Sequence, residues 1–310
     1  MRVAVTGAGG RLGTSLLAAL AAAEFVDQVL AWDLPDHDLD DPASAERLVA
    51  RHRPDVVIHA GAWTDVDGCA RDEGLAMRRN GTAVGEMAEA CVRHGAWLIA
   101  VSTNEVFDGA RTDGRPYAPN DEPNPVNAYG RAKLAGERMA RVAFGPVPHL
   151  AIVRTAWLFG APGVDFPMKI LARARSLPDG EVLKLVADEF GNPTYAPDLA
   201  SALVDLAGSR AAAPTAAPTA ASAGRGFDGI HHIVNSGMAS RAELARETLR
   251  LAGLSVPTQD VPAATWTRAS TPPARAVLAP TPLPNGKLLR AWQAALAVYL
   301  ATGSPNAEAQ

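Results

Sequence analysis

Arg2-Val3-Ala4-Val5-Thr6-Gly7-Ala8-Gly9-Gly10-Arg11-Leu12-Gly13-Thr14-Ser15-Leu16-Leu17-Ala18-Ala19-Leu20 decides the fold class. A short apolar run enters a glycine loop and leaves it as a helical pattern, which predicts strand, tight turn and helix in succession. The glycines follow G-x-x-G-x-x-G. Gly7 permits the turn, Gly10 lets the backbone approach a pyrophosphate, and Gly13 lets the helix pack on the strand, while the helix N-terminus offers free N–H groups to phosphate.

The next strand, Gln28-Val29-Leu30-Ala31-Trp32, ends at Asp33, about 20 residues past the last glycine, where a carboxylate can accept the hydroxyls of an adenosine ribose. An acid there favours NADH by repelling a 2′-phosphate, whereas Arg11 offsets that repulsion, so NADH and NADPH both stay open. Strand and helix patterns then alternate. A helix over 41–52 precedes the buried strand Asp55-Val56-Val57-Ile58-His59-Ala60, followed by a polar loop over 61–74 and a helix over about 75–93. The strand Ala96-Trp97-Leu98-Ile99-Ala100-Val101 ends in Ser102-Thr103. Continuous apolar strands between helices specify a parallel sheet covered on both faces, hence an α/β chain with a Rossmann-type doubly wound sheet. Ligands of such sheets collect at the carboxyl ends of the strands.

At that same edge, Asn127-Ala128-Tyr129-Gly130-Arg131-Ala132-Lys133 places a tyrosine and a lysine four apart at the start of a helix, so both leave one face. An ammonium held there can lower the pKa of the neighbouring phenol and fit Tyr129 to give a proton to a substrate oxygen near neutral pH. The same spacing occurs on ordinary solvated helices. Its weight comes from the glycine loop and strand ends upstream.

The 310 residues are 48% hydrophobic and 20% charged, enough for a large core in one large domain or two linked ones. A net charge of −4 leaves no basic field for a nucleic-acid backbone and points to a small-molecule partner. Cys69 and Cys91 have no metal-ligand spacing and read as reduced thiols, and no histidine joins a ligand set, so no metal is expected. No leader pattern or run of membrane-spanning length is present, so a cytoplasmic protein without a membrane partner is expected.

Several motifs stand in the order seen in extended short-chain dehydrogenases/reductases. They are the glycine loop, Ala60-Gly61-Ala62-Trp63-Thr64-Asp65-Val66-Asp67, Asn80, Ser102-Thr103-Asn104-Glu105-Val106-Phe107-Asp108-Gly109, Pro123-Asn124-Pro125 and Tyr129-x-x-x-Lys133. Within that group the chain resembles the dTDP-4-dehydrorhamnose reductases. Val153-Arg154-Thr155-Ala156-Trp157-Leu158-Phe159-Gly160 and Asp188-Glu189-Phe190-Gly191-Asn192-Pro193-Thr194-Tyr195-Ala196-Pro197-Asp198-Leu199-Ala200 carry the likeness over nearly the whole chain.

The resemblance implies NADPH- or NADH-dependent reduction of the C4 keto group of a nucleotide-linked 4-keto-6-deoxy sugar. It implies that Tyr129 protonates the oxygen, that Lys133 binds the nicotinamide ribose and tunes Tyr129, and that Thr103 hydrogen-bonds the carbonyl. Leu12, Ala60, Gly61 and Ala62 join Gly7, Gly10, Arg11, Gly13 and Asp33 around the cofactor. From position alone, Thr103 reads as a cap or turn residue. Trp63 and Trp157 are walls of a sugar pocket or core, and Glu105 is a sugar contact or a solvent-facing carboxylate; with Asn104 they form the candidate substrate set. Asn80 holds a backbone near the site or lies on a helix surface, and Arg154 reads as a structural ion-pair partner.

Departures from the family pattern cluster: Asn104-Glu105 stands for Asp-Tyr, Glu189 for Gln and Asp165 for Asn, while Ser15 replaces a glutamate that joins metal-linked dimers in some members. They leave the sugar and nucleotide open, and a monomer or homodimer is expected. The alternatives are a nucleotide-sugar 4,6-dehydratase or epimerase and a non-catalytic NAD(P)-binding regulatory subunit. Asn104 lacks the acidic proton that expulsion of hydroxide needs, and an intact Thr103, Tyr129 and Lys133 set argues against a non-catalytic subunit.

Residues 1–155 are expected to bind dinucleotide and 156–302 to form most of a smaller interleaved C-terminal substrate lobe, with 181–186 and His232-Ile233-Val234-Asn235 returning to the sheet. Ala/Pro/Thr-rich 209–226 reads as a flexible insertion and 303–310 as a disordered tail. Ser240 caps a helix over Arg241–Leu251, and a last helix over 287–300 carries Leu288, Leu289, Trp292, Leu296 and Tyr299 on its apolar face.

Overall fold

The computed structural model describes residues 1–211 and 228–302. The opening stretch becomes β1 (Arg2–Thr6) and α1 (Arg11–Ala21). Gly7 turns the chain at φ +64°, and a Cβ on Gly13 would stand 2.1 Å from the Gly7 carbonyl oxygen, so α1 can start this close to the strand only with glycine there. The alternation runs on through β2 (Gln28–Trp32), α2 (Ser44–His52), β3 (Val56–His59), α3 (Val66–Arg71), α4 (Glu73–Met77), α5 (Ala83–His94), β4 (Trp97–Thr103), α6 (Ala128–Phe144) and β5 (Leu150–Thr155). Then follow β6 (Leu158–Phe159), α7 (Phe166–Arg175), β7 (Leu183–Val186), β8 (Phe190–Gly191), β9 (Thr194–Tyr195), α8 (Ala196–Ala211), β10 (Gly229–His232), β11 (Asn235–Ser236), β12 (Ala239–Ser240), α9 (Arg241–Leu251), β13 (Thr258–Val261), β14 (Leu289–Ala291) and α10 (Trp292–Ala301).

One six-stranded parallel sheet, ordered β10-β5-β4-β3-β1-β2, forms the centre. Alternate strand residues enter two separate cores, which is why the strands show no polar face. Val3, Val5, Ile58 and Val153 pack with Leu12, Leu16 and Leu20 of α1 and Leu199 and Leu203 of α8. Ala4, Val57, Leu98 and Ile152 pack on the other side with Val49 of α2, Met87 and Cys91 of α5, and Phe144 of α6. Burying each large side chain contributes about 1.5–3 kcal/mol, so the sheet is held from both faces. The chain is an α/β protein with a doubly wound sheet.

Local departures from the sequence expectations have local causes. The 61–74 loop contains α3 and the start of α4, because the Asp65 and Asp72 carboxylates accept from the Gly68 and Leu75 amides and cap both helices. The 75–93 helix is α4 and α5 joined by a π-helical turn over Arg78–Thr82. Residues 183–186 stay off the central sheet and pair with β13, whereas β10, just before Ile233, joins its edge beside β5. Before α10, Leu289 lies in β14 against Asn235 and Leu288 is 48% exposed, so the buried face of the last helix is Trp292, Ala295, Leu296 and Tyr299. Ser209 to Ala211 extend α8, while 212–226 and the tail 303–310 lie outside the described residues. Ser240 does cap α9, in a capping box with Glu243.

Candidate active site

The carboxyl ends of β1, β3, β4 and β5 open into a cleft of about 680 Å³. Every residue assigned above to cofactor, substrate or proton transfer lines it. The N-terminus of α1 reaches it with Gly10 as N-cap, no side-chain cap and no acid in its first turn, which suits an anionic group. Asp33 accepts from the Gly9 amide at 2.5 Å and the Leu34 amide at 2.9 Å, so it fastens the glycine loop to the tip of β2. Arg11 Nε donates to the Gly160 carbonyl at 2.5 Å, tying α1 to the chain just beyond β6. This cradle, with Lys133 and Tyr129 lining the same cleft, fits a dinucleotide.

Asn127 starts the tyrosine helix. Its Oδ1 accepts from the Gly130 amide at 2.8 Å, and its Nδ2 donates to Glu105 Oε2 at 2.7 Å and to the Thr271 carbonyl at 3.2 Å. A Cβ on Gly130 would fall 2.1 Å from the Glu105 carbonyl oxygen, so the residue after Tyr129 lets α6 press against the end of β4. Thr103 sits at that end. Its hydroxyl accepts from the Glu105 amide at 3.2 Å, the cap role its position suggested, and it also lines the cleft.

The electrostatics correct one expectation. Lys133 Nζ donates to the Val101 carbonyl at 2.7 Å, and burial brings its pKa down to about 8 against the pull of Glu137. The Tyr129 phenol is not lowered. Burial pushes it well up, the Glu105 carboxylate and Cys69 push the same way, and only the Thr103 hydroxyl opposes them. The Tyr129 phenol is therefore protonated at physiological pH. One turn beyond Lys133, buried Glu137 accepts from Arg154 Nε at 3.0 Å and Nη2 at 2.7 Å and from Ser102 Oγ at 2.5 Å, so Arg154 is the ion-pair partner expected of it.

Asn80 is fully buried in the π-helical turn and clamps the Trp63 main chain from both sides, accepting from its amide at 2.8 Å and donating to its carbonyl at 2.9 Å. Trp157 has a left-handed backbone, φ +43°, and its indole packs on Gly191, where a Cβ would come within 2.5 Å. Asn104 is buried, and its Nδ2 donates to the Ala276 carbonyl at 3.0 Å. Glu105 is half-buried; burial raises its pKa, while Asn127, Arg241 and Arg268 counter that.

A second cavity of about 580 Å³ adjoins the first and shares Arg11, Thr64, Trp157, Leu158 and Arg241 with it. Its walls add Lys169, Lys184, Arg268 and Trp266. Among the described residues no group of three or more His, Cys, Asp or Glu side chains is placed to hold a metal ion.

A family model described as RmlD substrate binding domain matches residues 1–304. Over 257 residues the chain is 43% identical to the dTDP-4-dehydrorhamnose reductase of Mycobacterium tuberculosis, covering 81% of this chain and 76% of that one. The chain belongs to the dTDP-4-dehydrorhamnose reductase family. The Streptomyces griseus dTDP-4-dehydrorhamnose reductase is 38% identical over 252 residues, 80% of this chain and 75% of the relative. The crystal structure of the Bacillus anthracis dTDP-4-dehydrorhamnose reductase in complex with NADP superposes with a TM-score of 0.84 at 28% identity, covering 97% of this chain and 99% of that one. A Thermus thermophilus UDP-glucose 4-epimerase, 21% identical with a TM-score of 0.75 over 98% of this chain and all of its own, shares the fold.

For a chain of this reductase family, the residue that sequence reasoning missed is Arg241. Its guanidinium lies 3.6 Å over the Trp157 ring and lines both cavities, and burial lowers its pKa to about 10. The Ser240 N-cap marked it only as the first residue of a helix. No local spacing connects it to Trp157.

Proposed function

We propose that this protein reduces the C4 keto group of dTDP-4-dehydrorhamnose, or of a closely related nucleotide-linked 4-keto-6-deoxy sugar, with NADPH or NADH. The observation that carries the reading is Thr103, Tyr129 and Lys133 together at the carboxyl end of β4 and the start of α6, facing a glycine-loop cradle in one cleft. The reduced nicotinamide supplies the hydride. In this reading the alkoxide that develops at the sugar oxygen is a strong base, so a neutral, half-buried phenol at Tyr129 has both the proton and the driving force to deliver it. Thr103 hydrogen-bonds the same oxygen, and Lys133, anchored on the Val101 carbonyl, holds the site's positive charge beside them. Trp63 and Trp157 wall the sugar, with buried Asn104 and half-buried Glu105 lining the same cleft.

The second cavity suits the nucleotide diphosphate, because cationic side chains dominate its polar wall and Trp266, half exposed there, offers a face for a base. Residues 1–155 serve the dinucleotide and 156–302 mainly the substrate. No helix among the described residues is long and apolar enough to cross a membrane, and we assign the enzyme to the cytoplasm as a monomer or homodimer. The NADP-bound relative supports NADPH as one cofactor. A panel of dTDP-, GDP- and UDP-linked 4-keto-6-deoxy sugars, followed by loss of reduced-nicotinamide absorbance, tests the reading. Stoichiometric oxidation with the dTDP sugar is expected; oxidation with none of them contradicts it.

A further inference from the structure

Charged side chains meet between the two cavities in an arrangement that reduction itself does not require. The Glu189 carboxylate, 6% exposed, stands 3.6 Å from Arg241 Nε and 3.4 Å from Arg268 Nη1. Both contacts are long for charge-assisted hydrogen bonds, so neither guanidinium is saturated. Arg241 is fixed in place by its stack on Trp157 and by its backbone amide, which donates to the Glu189 carbonyl at 3.1 Å. Five cationic side chains line the second cavity against two carboxylates, Asp165 and Glu189. Asp165 is already committed, accepting from the Gly160 amide at 2.8 Å and the Met168 amide at 2.9 Å. Glu189 is thus the carboxylate of the second cavity that faces the cations, while Glu105 faces Arg241 and Arg268 from the first.

We propose that Glu189 is an internal substitute for the anionic part of the substrate, neutralising Arg241 and Arg268 in the free enzyme and setting affinity for a diphosphate by competing with it. The proposal rests on the assignment of the second cavity to the nucleotide diphosphate. A carboxylate as buried as Glu189 is costly without a counter-charge, so it and the two more exposed guanidiniums hold one another in place before substrate arrives. Once a diphosphate engages the same two groups, the fixed negative charge a few ångströms away weakens its hold. The consequence is a site that is preformed yet releases its product.

Calorimetric titration of the full chain with dTDP, inorganic pyrophosphate and thymidine tests this. Glu189→Gln keeps the shape and removes the charge, and should tighten dTDP and pyrophosphate about tenfold, equal to about 1.4 kcal/mol, with thymidine unaffected. Adding Arg241→Met, or Arg268→Met should the first fail to fold, should erase the gain. Unchanged or weaker binding of pyrophosphate and dTDP to Glu189→Gln overturns the proposal, as does an equal gain for uncharged thymidine. If the gain is missing while the parent still oxidises NADPH with dTDP-4-dehydrorhamnose, this inference fails and the functional assignment stands. A gain for pyrophosphate with no sugar reduced means the reverse.

Discussion

Asn127 joins two sides of the cleft: its Oδ1 caps the helix that carries Tyr129, and its Nδ2 donates to Glu105 at 2.7 Å, just past the strand that carries Thr103. Asn127→Ala should cost about 1 kcal/mol for the lost cap and lower kcat several-fold as the strand end and helix start lose their brace. Asn127→Ser restores a cap but cannot donate an amide hydrogen to Glu105. Its melting temperature should recover while the loss in kcat persists. Parallel recovery of both would reduce Asn127 to a cap.

Lys133 ties the proposed chemistry to stability. Its pKa falls from 10.5 in the unfolded chain to about 8 in the fold, so between those values the unfolded state binds more protons and this group's contribution to stability rises with pH. Below about pH 8 the buried ammonium is a standing cost. Lys133→Met should abolish turnover, melt above the parent at about pH 7, and lose most of that advantage by about pH 10. A melting difference independent of pH would contradict the burial account.

The Arg154–Glu137 pair, with side chains 1% and 4% exposed, makes a different prediction. Arg154→Met alone leaves a buried carboxylate uncompensated and should cost about 3–5 kcal/mol, whereas Arg154→Met with Glu137→Leu should regain most of it. Denaturant midpoints of the two variants decide. Similar losses in both would show that the pair is more than mutually compensating.

The glycine loop, strand alternation and tyrosine-lysine spacing were legible because each is set by contacts within a few residues. Asp65 and Asp72 were legible in principle as caps, but their polar surroundings read as loop. What sequence could not show is pairing across the fold. Trp157 and Arg241 are far apart in the chain, as are Asn104 and Ala276, and those contacts exist only in the folded chain. The sign of the Tyr129 shift was missed for the same reason. Spacing placed Lys133 nearby, but burial and Glu105 decide the phenol, and neither is a local property.

Asp33 bears on the choice of cofactor. Its carboxylate lines the cleft while holding the Gly9 amide, so Asp33→Ala should weaken both dinucleotides through the loop but NADH about tenfold more than NADPH, since a repulsion is removed only for the 2′-phosphate. The ratio of dissociation constants is the readout. Equal weakening would move the carboxylate's role from the ribose to the loop alone.

The central claim is that Tyr129 gives the proton in the reduction, and steady-state kinetics of Tyr129→Phe with dTDP-4-dehydrorhamnose and NADPH test it most directly. The account predicts a fall in kcat of at least ~10², with dTDP and NADPH binding retained, because only the transition-state proton is lost. Turnover within a few-fold of the parent would contradict it.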